Sequence, residues 1–280
     1  MERIRPQSLR ESLKGILTEE EMKVANRSFE LVGDIAILEI PEGLKKKEKQ
    51  MAKALLETHK NIKVVVKKKG GHEGTFRIQK YSVLAGQRRK ETEYKEHNCR
   101  FKLNIEKTYF SSRLSNERKR IFQKVQPGED ILVMFSGVSP YPITLARNSK
   151  PKEIYAIEIN PDAHKYAQEN INLNKVKNVV LFCGDVNEVV PKLKKKFDRI
   201  LMPLPRSAED FLETALSAIK SNGIIHFYDF EFESEFKKGE DKVMHACKAA
   251  GKRCKILETV KCGQNGPRYF RICVDFQVLD

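Results

Sequence analysis

Apolar and polar positions change rhythm along this chain. In SLRESLKGILTEEEMKVA the spacing predicts one or two helical turns around Thr18. Thr18 and Glu21 have capping-box spacing, in which the hydroxyl accepts an amide and the carboxylate reaches back. Residues 29–40, FELVGDIAILEI, switch to strand character, with Gly33-Asp34 as a bulge or turn. A short helix is expected around Lys47–Thr58, followed by IKVVVKKKGG, a strand ending in a basic, glycine-rich turn. Several short strands follow over residues 74–110, with strict alternation in Arg100-Phe101-Lys102-Leu103-Asn104-Ile105. Ser112–Val125 reads as a helix with Leu114, Ile121, Phe122 and Val125 on one side, and Pro127-Gly128 marks a boundary.

Beyond that boundary the rhythm becomes strand, loop, helix. The strands are DILVMF, EIYAIEI, NVVLFCG, FDRILM and GIIHFYD, and helices begin near Tyr141, Pro161, Arg206 and Lys238. Apolar strands separated by helices of this size require a parallel sheet covered on both faces. The tail, CKILETVKC and RYFRICVDFQVL, supplies an antiparallel pair at the sheet edge. The expected fold is therefore α/β, a doubly wound sheet over residues 128–280 preceded by a small basic α+β module over residues 1–127.

Charge sharpens that division. The 280 residues carry a formal charge of +15, and residues 1–127 hold 30 Lys and Arg against 17 Asp and Glu. Residues 128–280 hold 23 against 21, so almost all the positive field belongs to the first module. A polyanion is the natural partner of such a surface, and a face kept basic for solubility is the plainer alternative. Lys67-Lys68-Lys69 is the densest cluster and the candidate nucleic-acid contact. No apolar stretch reaches 18 residues, and MERIRPQSLR lacks an apolar run after its basic residues, so neither a spanning helix nor a secretory signal is expected. The six cysteines show no C-x-x-C pair and the six histidines no ligand spacing. That reads as free thiols in a reducing cytoplasm, without a structural metal.

Candidate chemistry gathers in the second half. In VMFSGVSP, Gly137 can let the backbone approach a ligand where a helix begins. The dinucleotide and P-loop glycine patterns are not met, which disfavours NAD and P-loop ATP chemistry. Glu158 ends the second strand, where a carboxylate can accept from a ribose diol. Asp185 follows the third, where it can meet an adenine amino group. Solvent exposure or helix capping is the simpler reading of each acid, but their joint position at the ends of successive strands points to a ligand. DRILMPLPR ends the fourth strand in a stiff loop, Pro203-Leu204-Pro205, suited either to face an acceptor substrate or merely to connect two elements.

These segments resemble a known family along almost the whole chain. GTFRIQKYSVLAG, CRFKLNIEKTYFSSRLSNER, VMFSGVSPYPI, YAIEINPDAHKYAQENINLNKV, FDRILMPLPRSAEDFLETAL and GIIHFY are similar to the class I, AdoMet-using enzymes that modify guanosine 37 of tRNA. These are the archaeal and eukaryotic tRNA (guanine37-N1)-methyltransferases and their wyosine-pathway relatives. The resemblance implies a class I methyltransferase sheet, S-adenosyl-L-methionine as cofactor, and tRNA as partner around position 37, with the enzyme acting as a cytoplasmic monomer. It implies Glu117 as general base and Arg77 as the stabiliser of the reacting guanine. Tyr109 and Arg113 fall around the donor and phosphate region, and Phe135, Gly137, Glu158, Ile159 and Asp185 in the AdoMet site. Three positions depart from the pattern. Val133 stands where an Asp is common, Ser139 where a Gly is common, and Pro203 where an Asn precedes Leu-Pro.

The chemistry suits these residue types. N1 of neutral guanine carries a proton, so methylation needs a base within roughly 2.6–3.2 Å and a cation for the charge growing on O6. Glu117 and Arg77 fit those roles; the plainer readings are an ordinary salt bridge or phosphate contact for Arg77 and N-terminal helix charge for Glu117. The leading expectation is N1 methylation of guanosine 37. The alternatives are transfer of the 3-amino-3-carboxypropyl group to a wyosine precursor, C-methylation of that tricyclic precursor, or, remotely, a non-catalytic tRNA-binding protein.

Overall fold

A computed structural model describes residues 9–26 and 28–280. The chain packs as two units, one formed by residues up to Lys95 with Lys102–Ser112, the other by Glu96–Phe101 with Arg113–Asp280. The expected boundary at 127 assigns the Ser112–Val125 helix to the first module, whereas packing assigns it to the second. Its apolar side, Ile121 and Val125, joins the buried cluster of Ile131, Val133, Tyr141 and Leu145.

The first unit begins with α1 (Leu9–Ser12) and α2 (Glu19–Val24). Thr18 caps α2 as its sequence implies: its hydroxyl accepts from the Glu21 amide and the Glu21 carboxylate accepts from the Thr18 amide. Strands β1 (Glu30–Val32) and β2 (Ile35–Leu38) form a hairpin whose turn is Gly33-Asp34. At Gly33, φ is +59° and a Cβ would lie 2.2 Å from the Thr92 hydroxyl, so glycine alone fits. Helix α3 (Glu48–Thr58) connects to β3 (Val64–Glu73), and β4 (Ile78–Gly86) completes a sheet in the order β1-β2-β3-β4. β3 runs on through the expected glycine-rich turn after KKK, but its register with β4 breaks between Lys69↔Lys80 and Glu73↔Ile78, where Gly70 takes a φ of +73°, and the chain reverses at residues 74–77. Leu13, Leu38, Leu55 and Val65 form the core between this sheet and its helices. A separate two-stranded ribbon, β5 (Glu91–Glu96) and β6 (Cys99–Asn104), turns at His97-Asn98, both with positive φ.

The second unit contains α4 (Ser115–Lys124), β7 (Asp130–Val133), α5 (Pro140–Asn148), β8 (Glu153–Glu158), α6 (Pro161–Leu173) and β9 (Val179–Cys183). It continues with α7 (Val186–Leu193), β10 (Phe197–Met202), α8 (Leu212–Ala218), β11 (Ile219–Phe232), α9 (Lys237–Ala249), β12 (Cys254–Gly266) and β13 (Tyr269–Val278). The sheet order is β12-β13-β11-β10-β7-β8-β9, parallel from β9 to β11 and antiparallel for the last two strands. Alternation along β7 sends Leu132 into the cluster packed by α7, α8 and α9, and Val133 into the one packed by α4 and α5. Both faces are covered, as the near-continuous apolar strands require.

Candidate functional site

Strand order reverses between β7 and β10, and the loops at the carboxyl ends of β7, β8 and β9 surround that switch point. The loop from β7 to α5 is shaped by three left-handed residues, Phe135 (φ +58°), Gly137 (φ +58°) and Ser139 (φ +65°). Ser139 occupies a conformation that favours glycine, which explains why its presence is a departure. The loop is tied down at Ser136, whose amide donates to the Ile157 carbonyl at 2.8 Å. Phe135 packs edge-on against Phe211, their ring centres 4.9 Å apart.

Glu158 closes the same crevice. Its Oε2 accepts from the Gly137 amide at 2.6 Å and its Oε1 from the Asn160 amide at 2.8 Å. Burial pushes its carboxyl above the usual glutamate range, against these amides, which favour the charged form. Asn160 caps α6 through the Asp162 amide, so Ile159, which is exposed, stands between two anchored residues. Asp185 caps α7, its Oδ1 accepting from the Asn187 amide at 2.8 Å. The helix it opens went unnoticed in the sequence, although Asp185-x-x-Glu188 has the spacing of a helix start. The residues fit an adenosyl donor on one further observation: the hydroxyls of Ser136 and Ser139 are buried in this loop without a hydrogen-bond partner. The sequence did not single out Ser136, because a serine in a turn carries no distinguishing pattern. The loop after β10 holds Pro203 and Leu204 half-buried and Pro205 buried, and the next residue, Arg206, lies 6.0 Å from the centre of the Phe230 ring.

Glu117 lies on α4, 4 % exposed. Its Oε1 accepts from the Tyr228 hydroxyl at 2.7 Å and from Arg120 Nη2 at 2.7 Å, while Oε2 accepts from Arg120 Nε at 2.8 Å. Arg120 also donates to Asp275 at 2.6 Å and to Glu258 at 2.9 Å. Behind Asp275 stands His226, whose Nδ1 is 2.6 Å away; its Nε2 is 2.7 Å from Arg199 Nη1. A guanidinium can only donate, so Nε2 is the acceptor and Nδ1 carries the proton: His226 is neutral. Burial and Arg199 lower its pKa in the same sense. Burial pushes the Asp275 carboxyl upward, yet the His226 N–H and Arg120 hold it well below the usual range. His226, Cys273 and Asp275 present three metal-ligating types within 4.8 Å of one another. Arg199 and Arg120 already donate to His226 and Asp275, so this is an ion-pair network in which two guanidinium groups stand where a metal would need free lone pairs.

The remaining site residues are dispersed. Arg113 belongs to the second unit, in a short 3-10 turn leading into α4. Arg77 and Tyr109 belong to the first unit, Arg77 at φ +50° in the turn before β4 and Tyr109 exposed after β6. The lysine cluster does not form one cationic face. Strand alternation sends Lys68 to the opposite side from Lys67 and Lys69. Lys67 is paired with Glu48 at 2.5 Å and Lys68 with Glu39 at 3.0 Å, leaving Lys69 exposed. A more continuous basic feature of the first unit is a groove of about 710 Å³ lined by Lys49, Gly86, Arg88, Arg89, Lys90 and Asn104. Its cations come from α3 and the turn after β4, too far apart in sequence to be seen as a cluster.

Comparison with known proteins decides the family. Residues 92–257 match the TRM5/TYW2 methyltransferase domain and residues 9–89 the TYW2 N-terminal domain. The chain belongs to the TRM5/TYW2 family. It is 39% identical over 275 residues to the tRNA (guanine(37)-N(1))-methyltransferase Trm5b of Pyrococcus abyssi, covering 98% of this chain and 81% of that protein. The crystal structure of that Trm5b superposes with a TM-score of 0.89 at 38% identity, over 99% of this chain and 82% of the other. The tRNA 4-demethylwyosine(37)-methyltransferase Taw21 of Saccharolobus solfataricus is also 39% identical, over 218 residues, 78% of this chain and 82% of the relative. A complex of aTrm5 with tRNALeu aligns at a TM-score of 0.85 and 32% identity, over 99% of this chain and 79% of that one. The class I sheet expected from the sequence is thus the fold of this TRM5/TYW2 protein. Among the described residues no helix is long and apolar enough to cross a membrane.

Proposed function

We propose that this TRM5/TYW2 protein transfers the methyl group of AdoMet to N1 of guanosine 37 in tRNA, acting as a monomer on the anticodon-loop region. The observation that carries the reading is the Glu117 carboxylate, buried on α4 and held at both oxygens by Arg120 and Tyr228. The donor supplies an electrophilic methyl on a sulfonium. Glu117 accepts the N1 proton as the N1–carbon bond forms and the carbon–sulfur bond breaks, and Arg77 offsets the charge developing on O6. Glu158 accepts from the ribose hydroxyls, Asp185 stands at the adenine, and the loop with Phe135, Gly137 and Ile159 lines the donor crevice; Tyr109 and Arg113 complete its surroundings. Pro203-Leu204-Pro205 faces the acceptor base. The domain reading follows: the basic first module holds tRNA, and the class I domain holds the donor. Lys69 and the groove cations Arg88 and Lys49 are the better candidates for phosphate contact than Lys67 and Lys68, so tRNA affinity falls steeply with salt.

Two observations favour a second reading at the same nucleotide. The identity to Taw21 equals that to Trm5b, and residues 9–89 match the TYW2 N-terminal domain. A wyosine precursor is then the acceptor, of a methyl or an aminocarboxypropyl group. Mass spectrometry of the tRNA nucleosides after incubation with isotope-labelled AdoMet tests both. A labelled 1-methylguanosine is expected; label found solely in a tricyclic product overturns the leading reading and leaves the cofactor assignment standing.

A further inference from the structure

The two oxygens of Glu117 are not equivalent. Oε1 receives two donors, Tyr228 from β11 and Arg120 Nη2, while Oε2 receives Arg120 Nε alone. Arg120 in turn is gripped from the sheet. Asp275 on β13 takes its Nη1, that aspartate is held by the Nδ1 proton of His226, and Arg199 and Glu129 complete the chain. A guanidinium bonded to three carboxylates from α4, β12 and β13 has no rotational freedom left.

We propose that Arg120 is the positioning residue of Glu117: locked by Asp275, it fixes the carboxylate rotamer and leaves Oε2 as the oxygen that takes the substrate proton. This rests on Glu117 being the general base. The other groups packed against that carboxylate carry little competing charge. Tyr228 and Tyr141 stay protonated because burial raises both hydroxyls far above their usual range. Burial likewise keeps Cys262 on β12 and Cys273 on β13 as thiols. Asp275 and Glu258 are both paired to Arg120 itself. Arg120 therefore supplies the cation bonded to Glu117, and the fork of its guanidinium sets the geometry of the carboxylate.

Single-turnover methyl transfer to G37-containing tRNA, with tRNA affinity measured alongside, tests the positioning. Arg120→Gln is expected to slow transfer about 10- to 100-fold. The loss is expected in the rate of transfer and not in tRNA affinity, because the oxygen that takes the proton is no longer held in place. Arg120→Lys keeps a charge but not the fork, so its rate remains depressed. AdoMet affinity by calorimetry stays parental in both, which a general loss of structure would not allow. If Arg120→Gln does not fold, Arg120→Lys alone decides, and parental rates in it overturn the proposal. A parental rate in a folded Arg120→Gln does the same. Glu117→Gln run alongside keeps the two ideas apart. A parental rate there sinks the general-base reading, whereas loss there with no effect at Arg120 sinks only the positioning role.

Discussion

The candidate donor crevice and the candidate base site lie in the same unit and are built by opposite means. The crevice is made of backbone: Gly137 and Asn160 amides on Glu158, the Ser136 amide on Ile157, and left-handed turns at Phe135, Gly137 and Ser139. The candidate base site is made of side chains: Tyr228 and Arg120 both donate to Glu117, Arg120 also donates to Asp275, and Asp275 is joined through His226 to Arg199. Backbone donors survive substitution of their own side chains, so the crevice loop keeps its amides with Ser139 in place of the common residue. A closed chain of buried charges has no such tolerance, because removing one member strands its neighbour.

The largest expected effect tests that fragility. Asp275→Ala leaves Arg120 and the His226 N–H without their shared acceptor and should cost about 3–5 kcal/mol in denaturant unfolding. The folded fraction should bind AdoMet normally, since no crevice contact involves this residue. The sign with pH follows from the depressed carboxyl of Asp275. Its contribution is complete above the unfolded value, about 3.9, and is lost as pH falls toward the lower folded value. The variant should therefore lose stability less steeply than the parent below about pH 4. Equal acid slopes would remove Asp275 from the network.

A smaller effect is expected in the crevice. Glu158→Gln keeps the shape but turns one acceptor into a donor group, and AdoMet binding should weaken roughly tenfold, a little over 1 kcal/mol. Because burial raises the Glu158 carboxyl, parental affinity should fall on acidification beginning above the ordinary glutamate range. Calorimetry showing the same pH dependence in Glu158→Gln would contradict that assignment.

The smallest change is a gain. Ser139→Gly relieves a left-handed serine and deletes a buried unpaired hydroxyl, so thermal or denaturant unfolding should show about 1 kcal/mol of added stability, reduced by the freer unfolded chain. AdoMet affinity should change little. A destabilised variant would mean that the hydroxyl has a partner in the working enzyme.

How much of this was legible follows from the range of each interaction. The Thr18 capping box and the Gly33-Asp34 turn are satisfied within a few residues, so residue type alone announced them. The seven-stranded sheet was legible from period and length. The turn expected at Gly70-Gly71 is an irregularity in the strand instead: β3 resumes its pairing with β4 at Glu73, so the reversal falls on residues 74–77. The lysine run is divided between two faces for a related reason: adjacency in sequence is opposition in a strand.

The sequence by itself determined most of the helices and strands, α7 and the far end of β3 excepted, together with the parallel order implied by their alternation, the charge asymmetry, and the carboxylates at the strand ends. Those depend on local sterics and on burial patterns that repeat every two or 3.6 residues. Tertiary structure alone decided what holds Glu117. Tyr228 lies 111 positions from it, and Asp275 lies 155 from Arg120, so no local pattern couples them. Their partnership exists because β11 and β13 are paired side by side, His226 opposite Asp275, with α4 packed onto that face of the sheet. The setting of the candidate base is thus a property of sheet register, which hydrogen bonding between distant strands sets.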